Sequence, residues 1–315
     1  MRDSFNREVD YLRISVTDLC NLRCVYCMPE KGVEKFSHDQ IISPEKIKEI
    51  VEACVKLGIK KVRLTGGEPL TRHGLIQIIR FIKEVNGIEE ICLTTNGIGL
   101  KEKAKKLKEA GVDRLNISLD TLDEKKYSFI TRGGNLNDVL EGIVESQKVG
   151  FKNTKINCVL IGGFNDDEIK NFQEFSAKFK VIVRFIELMP IGEGANFKEK
   201  SFISNKVVLE QLPGAILEYS DGVSSYYKFK DNNAKIGLIS PLSNKFCESC
   251  SRIRLTSDGK IKPCLHSKAE FDLSGLHDDE LVNKLKESIL SKPKEHYLNE
   301  DRKSRSTRGM SKIGG

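Results

Sequence analysis

The chain has 315 residues, 39% of them hydrophobic and 31% charged, and 52 Lys+Arg against 45 Asp+Glu give a net charge of +7. That apolar content supports the core of one large domain or two ordinary ones and excludes a disordered chain. The longest apolar stretches, such as Cys158–Ile161, are too short to span a bilayer, and the opening MRDSFNREVD has no signal-peptide core. A soluble, cytoplasmic protein is therefore expected, with no membrane partner. The absence of Trp, 7% aromatic content and only a mild basic excess argue against a nucleic-acid partner, whereas an anionic small molecule suits the same charge.

Between Tyr11 and Glu187, β-rich runs alternate with helical patterns. The runs are YLRISV, KKVRLT, EEICLTT, VDRLNIS, TKINCVLI and VIVRFIEL. A helix starting at Ser43-Pro44 carries Ile47, Ile50, Val51 and Cys54, and the next carries Leu75, Ile78, Ile79 and Ile82. A third, with Leu100, Ala104, Leu107 and Ala110, is broken by Gly111, and later ones centre on Val139–Val144 and Ile169–Phe175. Six strands alternating with helices predict an α/β fold, a partial six-stranded (β/α)6 TIM-type barrel over residues 1–190. Chemistry in such folds gathers at the C-terminal ends of the strands, here Cys20–Cys27, Gly66–Pro69, Thr94–Gly97, Ser118–Asp120 and Glu187–Pro190. After Pro190 the pattern changes to short strands and a charged helix near Asp279–Leu290, so residues 191–315 are expected to form an α+β extension packed onto the barrel mouth.

Nine cysteines without a secretory signal do not suggest a disulfide framework. Cys54, Cys92 and Cys158 lie in apolar-periodic segments and read as small buried hydrophobes. Cys20, Cys24 and Cys27, spaced C-x₃-C-x₂-C directly after the first strand, suit three irons of a [4Fe–4S] cluster with the fourth iron open. A zinc site there lacks a fourth ligand, His38 being too loosely placed. Cys247, Cys250 and Cys264 form the second group, and taken alone with His266 they make an acceptable Cys₃His zinc site. Arg252 and Arg254, alternating beside them, favour instead a triphosphate site next to an open iron.

The first cysteine group with Gly66-Gly67-Glu68-Pro69 resembles the radical S-adenosylmethionine enzymes, whose open iron chelates the methionyl group and whose cluster supplies the electron for a 5′-deoxyadenosyl radical. CNLRCVYCMP, RLTGGEPL, TTNG, NISLD, RFIELMP, FCESCSRIRLTSDGKIKPCL and the final IGG together resemble the GTP 3′,8-cyclases, the MoaA family of molybdenum-cofactor biosynthesis, from Arg13 to Gly315. The resemblance implies a second [4Fe–4S] cluster on Cys247, Cys250 and Cys264, and S-adenosylmethionine contacts from Tyr26, Gly66, Gly67, Glu68, Ser118 and Met189. It implies GTP contacts from Arg13, Arg63, Thr94, Lys155, Arg184, Arg252 and Arg254. It further implies catalytic roles for Arg13, Gly314 and Gly315, the tail threading into the mouth and Arg308 bringing a further cation. The implied reaction removes the ribose C3′ hydrogen, joins C3′ to guanine C8 and yields 3′,8-cyclo-7,8-dihydro-GTP. An electron donor protein or reductant, hand-off to cyclic pyranopterin monophosphate synthase and a homodimer belong to the same expectation. The competing readings are a radical enzyme with an auxiliary cluster acting on a peptide, and a non-enzymatic zinc or iron–sulfur protein that binds nucleic acid.

Overall fold

A computed structural model describes residues 1–34, 36–301 and 303–313. The six expected strands form as β1 (Tyr11–Ser15), β2 (Lys61–Thr65), β3 (Glu90–Thr95), β4 (Arg114–Ser118), β5 (Lys155–Leu160) and β6 (Ile182–Glu187). They pair in parallel, each with the next. Strand alternation divides them by face. Leu12, Ile14, Val62, Leu64, Ile91, Leu93, Leu115, Ile117, Ile156, Val183 and Phe185 are buried in the main apolar core. Each fully buried Val, Leu or Ile there contributes about 1.5–3 kcal/mol relative to exposure. Tyr11, Arg13, Arg63, Thr94, Asn116, Lys155 and Arg184 occupy the other face.

The covering helices are α1 (Pro44–Lys56), α2 (Leu75–Lys83), α3 (Leu100–Ala110), α4 (Glu124–Thr131), α5 (Leu136–Lys148) and α6 (Ile169–Phe179). Ser43 caps α1 by accepting the Lys46 N–H at 3.1 Å, and Pro44 occupies the first turn, where a missing N–H costs nothing. Gly111 stops α3 in the left-handed region, φ 112°, and donates back to the Leu107 and Lys108 carbonyls. The β4–β5 crossover holds two helices where one was expected. The helix missed, α4, has a weak apolar stripe, with Phe129 66% exposed.

The second half contributes α7 (Lys206–Gln211), α8 (Asp278–Leu290) and the strands β7 (Ile216–Ser220), β8 (Ser225–Lys228), β9 (Lys235–Ile239), β10 (Arg252–Leu255), β11 (Lys260–Lys262) and β12 (Phe271–Asp272). These strands do not lie over the mouth as a separate layer. They extend both edges of the barrel sheet, giving the order β12-β11-β10-β1-β2-β3-β4-β5-β6-β9-β8-β7. Because β10 and β9 run parallel to β1 and β6, the six-stranded core is flanked by a parallel strand on each side. β11–β12 and β8–β7 then close each edge as antiparallel ribbons. Among the described residues no helix is long and apolar enough to cross a membrane.

Candidate active site

The first cysteine triad sits on the loop after β1 and is held from two sides. The end of α4 grips it: the Arg23 and Val25 N–H groups donate to the Thr131 and Ile130 carbonyls at 3.1 and 2.9 Å. Arg132 adds bonds to the Arg23 and Met28 carbonyls, both 2.8 Å. From the other side, Gly67 N and Glu68 N donate to the Thr17 and Leu19 carbonyls, each at 2.7 Å. The approach is so close that a Cβ on Gly66 would lie 2.6 Å from Thr17 O, and one on Gly67 would collide with Leu19 O. The double glycine is thus required by the chain's own backbone.

Glu68 is buried, and its carboxylate accepts from Leu70 N (2.9 Å), Thr95 Oγ1 (2.7 Å) and Asn96 N (2.6 Å). Burial raises it to about 7 against the pull of those bonds. It staples the loop after β2 to the loop after β3, so Glu68 braces the Gly-Gly strip. Tyr26 donates its hydroxyl to Asp120 at 2.7 Å, joining the cysteine loop to the end of β4, where Ser118 also lies. Asp120 in turn accepts Val159 N at 2.8 Å, and burial lifts its carboxyl to about 6. Glu187, at the end of β6, accepts from Asn205 N, Leu242 N and Ser243 N at 2.9–3.1 Å and fixes the loop that carries Met189.

The polar face of the sheet carries cations on most of its strands, in a staggered band. Register places Arg254 beside Arg13, Arg13 beside Arg63, Arg63 beside Cys92, and Cys92 beside Arg114. Asn116 stands beside Lys155, and Asn157 beside Arg184. Arg63 donates to the Tyr11 hydroxyl and, at 3.4 Å, to Thr94 Oγ1. Arg184 donates to Asn157 Oδ1 from Nε at 3.0 Å. Lys155 donates to the Tyr226 hydroxyl at 2.5 Å, which donates to Asp221 at 3.0 Å. Cations packed this way oppose one another. Burial and then Arg254 depress Arg13 far below the ordinary arginine value. Burial with Arg63 lowers Arg184 to about 10, and burial with Arg252 lowers Arg254 to about 10. Lys155 falls to about 7 through burial, Arg184 and Arg114. Such a row favours a polyanion of several charges.

The second triad lies at the opposite end of the strands from the first. Cys247 and Cys250 precede β10, which runs parallel to β1, whereas Cys20 follows β1. Cys264 follows β11, antiparallel to β10, and so returns to the same end. The five residues of β1 place roughly 16 Å of strand between the two groups, at about 3.3 Å per residue, with the cations in between. All nine cysteines are free, with Cys54, Cys92 and Cys158 buried.

Both triads have the chemistry a cluster needs. In the first, Cys20 Sγ receives bonds from Leu22 N at 3.4 Å and Asn96 Nδ2 at 3.9 Å. Burial and then Cys20 push Cys27 up to about 12, so the thiolates need a cationic centre to coexist. In the second, burial would raise Cys250, but Lys292 and Arg252 outweigh it and hold the thiol near 7. His266 turns its Nδ1 to Ser304 Oγ at 3.3 Å and stacks edge-on against His296.

The tail corrects one expectation. Arg308 brings no free cation: it donates to both carboxylate oxygens of Asp258 at 2.8 Å and to Glu270 at 2.7–3.0 Å, tying the tail to the β10–β12 ribbon. Ser304 N bonds Pro190 O at 2.9 Å, beside the loop after β6. Ile313 is buried, and its carbonyl accepts Arg254 Nη1 at 3.3 Å. Gly314 and Gly315 lie outside the described residues. Residues missed by sequence reasoning are Arg114, which the alternation of VDRLNIS places in the row, and Tyr226 and Lys292, which no motif marks.

A parallel barrel with C-x₃-C-x₂-C after its first strand defines a class, and residues 14–176 match the family described as the Radical SAM superfamily. Residues 181–298 match the family described as Molybdenum Cofactor Synthesis C. The chain is 48% identical over 320 residues to a GTP 3′,8-cyclase of Alkaliphilus oremlandii (strain OhILAs), covering all of both chains. It is 44% identical to a GTP 3′,8-cyclase of Lactiplantibacillus plantarum, covering 99% of this chain and 98% of that one. Its fold resembles the crystal structure of Streptococcus suis SuiB bound to S-adenosylmethionine, with TM-score 0.64 and 16% identity, over 90% of this chain and 68% of that one. Native anSMEcpe with bound AdoMet is similar at TM-score 0.58 and 17% identity, over 88% of this chain and 82% of that one. The chain belongs to the GTP 3′,8-cyclase family of radical SAM enzymes.

Proposed function

We propose that this chain converts GTP to (8S)-3′,8-cyclo-7,8-dihydroguanosine 5′-triphosphate in molybdenum-cofactor biosynthesis, using S-adenosylmethionine and two [4Fe–4S] clusters. The observation that carries the reading is the set of cations on one sheet face, Arg254, Arg13 and Arg63 in register and Lys155 and Arg184 farther along, between two cysteine triads at opposite strand ends. Cys20, Cys24 and Cys27 hold one cluster, and Cys247, Cys250 and Cys264 the other. When bound, S-adenosylmethionine and the first cluster supply the 5′-deoxyadenosyl radical that removes the C3′ hydrogen.

The chain's own groups bind, orient and exclude water. Tyr26, Gly66, Gly67, Ser118 and Met189 line the S-adenosylmethionine side, with Glu68 bracing the strip. Arg13, Arg63, Thr94, Lys155, Arg184, Arg252 and Arg254 take the triphosphate and ribose, and Arg114 extends their row. Arg13, Gly314 and Gly315 are the candidate catalytic residues. A one-electron donor, delivery of product to cyclic pyranopterin monophosphate synthase and a cytoplasmic setting complete the proposal, the last supported by nine unpaired thiols. Exposed Leu217 and Tyr219 on the edge strand β7 support a homodimer.

Anaerobic purification followed by iron, sulfide and zinc analysis and a GTP cyclisation assay tests the reading. Two clusters correspond to about eight irons per chain. Zinc without iron, or full clusters with no GTP turnover, overturns it.

A further inference from the structure

Behind the second triad lies a charged side chain that the mechanism above does not use. Lys292 follows the end of α8 and is 3% exposed. Its ammonium donates to Cys250 Sγ at 3.4 Å, to the Arg252 carbonyl at 2.9 Å and to the Pro263 carbonyl at 3.1 Å. These acceptors are a cysteine of the triad, the first residue of β10 and the residue just before Cys264. An ammonium has three donors, so all are engaged, and none of these bonds reaches a carboxylate. A buried cation is costly without a counter-charge, and of its three acceptors the sulfur alone can carry a full negative charge.

The segment that presents Lys292 is itself fixed. Arg7, paired with buried Asp3 at 2.6 Å, donates to the Cys247 carbonyl at 2.9 Å, the Lys294 carbonyl at 2.8 Å and the Pro293 carbonyl at 2.7 Å. The segment just after Lys292 is thus fixed against the triad.

We propose that Lys292 is a positioning residue for the C-terminal cluster, the fixed counter-charge of the Cys250 thiolate and the tie between Cys250 and the Cys264 loop. The inference rests on the reading that this triad holds a [4Fe–4S] cluster. Net charge and hydrogen bonds to sulfur set the potentials of such clusters, and contacts behind the ligands tune them. A cation at Cys250 favours the more negative, reduced state.

The test uses the full chain in a Cys24→Ala background, which leaves the C-terminal cluster to be observed by itself. Iron and sulfide are measured, and the cluster is titrated with reductant and followed by electron paramagnetic resonance. Lys292→Met removes the charge at similar length, and Lys292→Arg keeps it. The Met variant is expected to retain iron while its reduced-to-oxidised ratio at a fixed poise falls about tenfold, about 59 mV for one electron. The Arg variant is expected to stay near the parent. If the Met variant loses iron, full iron with Arg supports the proposal, whereas equal loss in both shows a packing role and overturns it. Parental iron and parental potential in the Met variant overturn it and leave the cluster reading standing. Zinc without iron in the Cys24→Ala parent overturns the cluster reading and the proposal with it.

Discussion

Lys155 makes the cationic row testable through protons. Burial, Arg184 and Arg114 lower it to about 7 from an ordinary 10.5, so at pH 8 only about one molecule in ten carries the charge. A phosphate charge about 4 Å away contributes about 4 kcal/mol at an effective dielectric of 20, which raises the lysine by about 3 pKa units. GTP binding at pH 8 therefore takes up about 0.9 proton at this residue. Calorimetry in buffers of different ionisation enthalpy reads that number as the slope of observed enthalpy. Lys155→Arg should bind GTP with the slope removed, and Lys155→Met should bind more weakly, also without it. A parent slope of zero at pH 8 would falsify the account of the row. The sign for stability follows from the same shift. The unfolded chain binds the extra proton between about pH 7 and 10.5, so the Lys155 contribution to stability improves as pH rises through that window.

Gly67→Ala should lose S-adenosylmethionine cleavage and iron at the first triad, because the added Cβ meets Leu19 O; a variant with full iron and parental 5′-deoxyadenosine formation would contradict this. Arg252→Ala and Arg254→Ala should each weaken GTP binding by roughly 10- to 150-fold, the loss of one charge-assisted hydrogen bond of about 1.5–3 kcal/mol, and unchanged affinity by calorimetry in both returns them to a structural role. Extending the chain past Gly315, or making Gly314 bulky, should leave clusters and GTP binding intact while product formation drops steeply. The buried Ile313 carbonyl on Arg254 places the preceding backbone beside the row, and a tagged protein with undiminished product formation counts against the tail's role.

Much of this was legible because the signals are local. Strand alternation in YLRISV and TKINCVLI separates a helix-packed face from a polar one, and two compact cysteine spacings mark the ends of the site. What was hidden depends on contacts between distant segments. The pairing of β10 with β1, about 240 residues apart, puts the second triad at the opposite strand end, and nothing within FCESCSRIRL encodes that partner. Arg308 reads as a spare cation until Asp258 and Glu270 are found against it. Lys292 reads as a surface lysine before a proline, yet folding brings it to Cys250. Helix α4 escaped because its apolar residues are few and split: Tyr127 joins the main core, Ile130 packs with Val25 and Tyr26 of the cysteine loop, and Phe129 stays exposed.

GTP bound along the cations of the sheet face presents its ribose C3′ to the radical generated at the first triad. The most direct measurement supplies GTP deuterated at C3′ to the reduced enzyme and analyses the 5′-deoxyadenosine by mass spectrometry. One deuterium in 5′-deoxyadenosine and its loss from the cyclised product are expected. Unlabelled 5′-deoxyadenosine alongside GTP that keeps its deuterium would contradict that placement.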